Sequence, residues 1–97
     1  MLGKRELENK IDDRIVKNVR YPKPSQIVVN TIIAEFCGTF ELWMKIRKES
    51  FLLATGLEDD IRRKHQMVQN CIGDTRLWPY MKGPQEIVAF ASKIASQ

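Results

Sequence analysis

Nowhere does this chain hold an apolar run close to the ~18–20 residues that cross a bilayer, so no membrane is expected among its partners. Its opening, Met1-Leu2-Gly3-Lys4-Arg5-Glu6, runs into alternating charge and not into an apolar stretch. That argues against a secretory signal and for a cytoplasmic protein. Leu2 stands where N-myristoylation needs glycine. Cysteine is scarce, with Cys37 and Cys71 alone, and the pair reads as reduced thiols in a reducing compartment. A Cys37–Cys71 disulfide is the competing reading. Histidine is scarcer still: His65 and two distant cysteines cannot build a zinc site without carboxylates or a second chain. Asp12-Asp13 and Glu58-Asp59-Asp60 are read as solvated helix starts and not as magnesium ligands. There is no Gly-rich phosphate loop, no repeat and no low-complexity linker. No cofactor and no metal are therefore expected. No catalytic residue is assigned either, because His65 has no nucleophile or carboxylate at a readable spacing.

What is present suits one small domain spanning 1–97, with 43% hydrophobic and 29% charged residues and a net charge of +4. The apolar spacing predicts an all-α fold, a compact bundle of four to five short helices near 5–19, 25–37, 57–72 and 84–95. Leu7, Ile11 and Ile15 recur every four residues, with Val16 and Val19 widening the stripe. Tyr21-Pro22-Lys23-Pro24 ends that segment as a stiff connector. Ser25 reads as an N-cap for an apolar stretch from Ile27 to Cys37, which suits a buried helix. Thr55-Gly56-Leu57-Glu58 reads as a capping box, and Gly73 as the stop of the third helix. Gly83-Pro84 opens the last one. Between 40 and 55 a second pattern competes. Phe40, Leu42, Met44 and Ile46 alternate, so an α+β fold with a short strand pair around 40–47 and 50–55 is the alternative.

Function is carried by weaker signals. Leu77-Trp78-Pro79-Tyr80-Met81, flanked by Arg76 and Lys82, combines residue types that concentrate at protein-binding hot spots, and proline stiffens it. Arg76, Trp78, Tyr80 and Lys82 are therefore taken as partner-binding residues, weighed against an aromatic lid that closes the core. Ala34-Glu35-Phe36-Cys37-Gly38 has the small-residue-to-glycine spacing of a helix-turn-helix, with Thr39 to Lys48 as its recognition helix. Lys45, Arg47, Lys48, Arg62 and Arg63 would then contact nucleic acid, joined by Lys17, Arg20 and Lys23 if the basic clusters merge. The expected function is a small non-enzymatic accessory module. It docks onto a larger protein or nucleoprotein through the aromatic loop or a basic face, or it self-associates into a homo-oligomer. The alternative is a helix-turn-helix DNA-binding regulator or a DNA-packaging adaptor.

Overall fold

A computed structural model describes residues 14–22 and 27–97. It overturns the all-α expectation. Four strands, β1 (Ile15–Pro22), β2 (Val28–Phe36), β3 (Thr39–Ile46) and β4 (Glu49–Gly56), form an antiparallel meander in the order β1-β2-β3-β4. Two helices follow, α1 (Glu58–Ile72) and α2 (Pro84–Ala95), joined through a 3₁₀ turn at Thr75–Tyr80. The class is α+β. The strand pair near 40–47 and 50–55 does form, as β3 and β4, and it is half of a larger sheet. The expected helices at 57–72 and 84–95 are α1 and α2. The expected helix at 25–37 is a strand from Val28 onward, and the end of the one at 5–19 belongs to β1. The Ser25 cap and the start of the first segment lie outside the described residues.

The misread stretch has a physical cause. Val29, Thr31 and Ile33 face the helices, while Ile32 and Ala34 are buried on the opposite side. A strand covered on both faces is apolar without alternation, which is also how a buried helix reads. The β-branched run Val28-Val29, Thr31-Ile32-Ile33 is the signal that favours a strand. The helix face of the sheet is completed by Phe40, Leu42, Met44 and Ile46 of β3, paired with β2 in continuous register from Val29↔Ile46 to Phe36↔Thr39. Ile61, Val68 and Ile72 of α1 and Ile87, Ala91 and Ile94 of α2 pack onto that face. The opposite face carries a smaller cluster of Ile32, Ala34 and Trp43. Beside it Arg14 bonds to Glu41 at 3.3 Å and lies over the Phe36 ring.

Two tight turns set the register. Cys37 (φ 51°) and Gly38 (φ 81°) both adopt left-handed backbone, as a two-residue hairpin turn that matches strand twist requires. The helix-turn-helix reading of Ala34 to Gly38 is thereby corrected: Ala34 to Phe36 end β2, and Cys37-Gly38 are the turn. Cys37 is exposed there and not packed as a small hydrophobe. Gly38→Ala should cost about 1 kcal/mol of stability, since a Cβ is disfavoured in this backbone region even with open space around it. A urea melt checks this, and Cys37→Asn should move the midpoint the other way because Asn-Gly suits the turn.

The helix ends also follow from the sequence, with one correction. Leu57, and no side-chain capping box, starts α1, because Thr55 belongs to β4. Glu58, Asp59 and Asp60 do occupy its first turn, and Gly73 caps its end. Gly83 caps α2, with Pro84 in its first turn.

Candidate functional site

A concave surface lies at one end of the sheet, where the β3–β4 turn faces the start of α2. Ile46, Phe51, Pro84, Val88 and Ala89 floor a cavity of about 960 Å³, and Arg47 and Lys48 stand at its lip. Each part is placed by a local rule. Ile46 closes β3 on the helix face, and Phe51 lies opposite Met44 on that same face. Pro84 begins α2 one residue after its Gly83 cap, and the cap residue makes no side-chain hydrogen bond to that helix. The start of α2 thus adds partial positive charge to a lip that already carries two cations. Two carboxylates, Glu49 and Glu86, also line the cavity. Glu86 accepts from the Lys82 backbone N–H at 3.3 Å, and Glu49 holds an interaction of its own.

The turn itself is strained. Arg47 has φ 58°, and Lys48 does not share a positive value. That pattern matches a hairpin turn whose first position is normally glycine. An arginine held in left-handed backbone costs stability, and such positions concentrate at ligand clamps.

The residues expected to bind are not brought to one place. Arg47 and Lys48 sit together at the cavity lip. Lys45 points to the opposite face of the sheet, between Asn30 and Ser50. Arg62 and Arg63 are on α1 and are tied to Glu58 at 3.3 Å and Asp60 at 2.8 Å. Arg76 is exposed but forked onto Asp74 at 2.9 and 3.0 Å, which holds the Asp74 carboxyl below its usual range. Trp78 is half-buried against the core, and its indole N–H donates to the Ile72 carbonyl at 3.0 Å. Tyr80 is 77% exposed and Lys82 is exposed beside it. The aromatic loop therefore turns its largest side chain inward and leaves only the tyrosine out.

One buried polar pair lies away from the cavity. His65 on α1 and Thr31 on β2 meet at 2.9 Å, Nε2 to Oγ1, with exposures of 1% and 0%. Burial first, then the nearby charges of Lys17 and Arg62, push the His65 pKa down to about 4. A neutral imidazole beside a hydroxyl has the makings of a base and a nucleophile, but neither atom can be reached by a substrate. The pair joins helix to sheet. Among the described residues no group of histidine, cysteine or carboxylates could hold a metal, and no helix is long and apolar enough to cross a membrane. Both cysteines are free thiols.

Sequence reasoning missed the cavity floor, because Phe51 and Val88 are far apart in the chain and meet only through the sheet-to-helix packing. The Gly83-Pro84 helix start and the basic pair at the turn were its readable traces. Comparison of the chain with protein-family models, curated proteins and solved structures found no match.

Proposed function

We propose that this protein is a non-enzymatic binding module that docks onto a protein partner through the β3–β4 turn and the start of α2. The cavity takes an apolar side chain, and the cationic lip takes carboxylates flanking it. The observation that carries this reading is the apolar floor rimmed by Arg47 and Lys48, with Arg47 kept in a backbone region that glycine would occupy at lower cost. Desolvated apolar anchors supply affinity in such sites, and rim charges supply rate and selectivity. The inward anchoring of Trp78 supports this face over the aromatic loop.

Fluorescence anisotropy with dilute protein tests it, using labelled peptides that carry one leucine flanked by either aspartates or lysines. The acidic peptide is expected to bind, with affinity falling as salt rises. Arg47→Glu/Lys48→Glu should remove binding, and Val88→Lys should do so by filling the floor. Equal binding of acidic and basic peptides, or no binding of either, overturns the reading. Arg47→Gly should raise stability by roughly 1 kcal/mol while weakening the peptide, as relief of left-handed strain predicts.

A further inference from the structure

The face of the sheet turned away from α1 and α2 is dry in its middle and wet at its sides. One row on that face runs Asn18–Ile32–Trp43–Leu52 across all four strands. Ile32 and Trp43 are 2% and 3% exposed, and Ala34 beside them is fully buried. In the same row Leu52 is 49% exposed and Asn18 is exposed as well. An antiparallel sheet packed on one face commonly leaves the other solvated, so the middle strands have a cover of their own. Strands lie about 5 Å apart and a helix with its side chains is about 10 Å across, which makes that cover one helix wide.

The burial holds within a single chain with no neighbouring molecule, so the cover is part of this chain. α1, α2 and the Thr75–Tyr80 turn pack against the other core and do not supply it. Residues 1–13 and 23–26 lie outside the described structure. The stretch 23–26 joins β1 to β2 beyond the Pro22↔Val28 pair. So short a connection, fixed at both ends, does not reach back about 13 Å along β2 to Ile32. Arg14 marks the other route. It has helical backbone and stands directly before β1. Its guanidinium reaches across to Glu41 of β3 at 3.3 Å and lies 4.6 Å from the centre of the Phe36 ring. Glu41 also accepts from the Trp43 indole N–H at 3.4 Å. The chain entering β1 is therefore already seated beside the dry cluster.

Leu7, Ile11 and Arg14 recur at the spacing of one helical face. A ten-residue helix is about 15 Å long, close to the roughly 14 Å that β3 covers between Glu41 and Lys45. We infer that residues 1–13 fold back from Arg14 over the outer face of the sheet as a helix, with Leu7 and Ile11 covering Ile32, Ala34 and Trp43. The chain itself thus occupies that face, which leaves the cavity end to a partner.

Trp43 reports the cover, and in the full chain carrying Trp78→Phe it is the sole tryptophan. Its emission is expected to be blue-shifted and poorly quenched by acrylamide at every protein concentration. Adding Leu7→Lys/Ile11→Lys should shift the emission to the red and raise the quenching constant several-fold. Asn9→Lys, on the opposite side of such a helix, should change neither. Far-UV circular dichroism and a cooperative urea transition check that the main core survives. Should the lysine pair unfold the chain, Leu7→Ala/Ile11→Ala should give a smaller red shift with the transition retained. Trp43 that is freely quenched at the outset overturns the inference, as does shielding untouched by either pair of substitutions. Shielding that disappears on dilution overturns it too, because the cover would then be a second copy. An Asn9→Lys variant as disruptive as the lysine pair would also overturn it, since no one face of the segment would then be the docking face.

Discussion

Trp78→Ala is expected to lower the unfolding free energy by about 3 kcal/mol, near the lower end for truncating a large aromatic in a core. The side chain is only half-buried, which moves the figure down. Its indole N–H, however, bonds to the Ile72 carbonyl at 3.0 Å, one of the last carbonyls of α1 and without an intrahelical donor. Removing the ring therefore uncovers apolar surface of the main core and leaves a helix-end acceptor without its partner. For a domain of this size the melting temperature should fall by about 15 °C. Trp78→Phe separates the two contributions, since it keeps most of the bulk and loses the hydrogen bond, worth about 1 kcal/mol. The folded fraction of Trp78→Ala should bind the acidic peptide as the wild type does, because the residue does not line the cavity. A normal melt with weakened association would reverse this assignment and return the partner surface to the Trp78 loop. Tyr80, at 77% exposure, is the contrast residue: its replacement by alanine should leave stability nearly unchanged.

The helical third of the chain was legible in the sequence because its information is local. Gly83-Pro84 marks a start, Gly73 a stop, and Leu57, Ile61, Val68 and Ile72 a one-sided stripe; all but Leu57, which is the 77% exposed cap of α1, do in the fold what their spacing implies. The sheet was read poorly where its strands are buried on two sides. Ile32 and Ile33 are neighbours in sequence, and both are inaccessible on opposite faces, so β2 shows no period of two. β1 failed for the opposite reason. Its Ile15, Val16 and Val19 continue a four-residue spacing from upstream, yet it is an outer strand whose Ile15 and Val16 stay exposed. Spacing alone cannot separate a helix stripe from an edge strand that buries little. The turns were missed because they use Cys37-Gly38 and Arg47-Lys48 in place of asparagine-glycine pairs. The basic pair at 47–48 was visible as charge, but its meaning came from Phe51 and Val88 meeting beneath it.

The His65–Thr31 pair should make stability fall by about 3 kcal/mol between pH 6.5 and pH 4, the window that separates the ordinary histidine value from the one it holds in the fold. Above pH 6.5 the imidazole is neutral in both states and its full contribution is present. As the pH drops through that window the unfolded chain takes up a proton that the folded chain refuses, so unfolding is favoured. Near pH 4 the folded form begins to protonate too, and the loss levels off. Burial is the main cause, and the nearby charges of Lys17 and Arg62 add to it. Asp60 and Asp74, held low by Arg63 and Arg76, lose their pairing only below the ordinary carboxylate value of 3.8. Their contribution is thus separated from that of His65 on the pH axis. Urea midpoints taken at several pH values for the wild type and for Thr31→Val/His65→Leu measure the effect. The double variant replaces both partners with apolar groups of similar size, so it leaves no lone buried donor or acceptor behind. Its stability should stay flat from pH 6.5 to 4 while the wild type declines. Parallel declines in the two proteins would mean that the imidazole is not the group refusing the proton, and that acid sensitivity enters through the carboxylates instead.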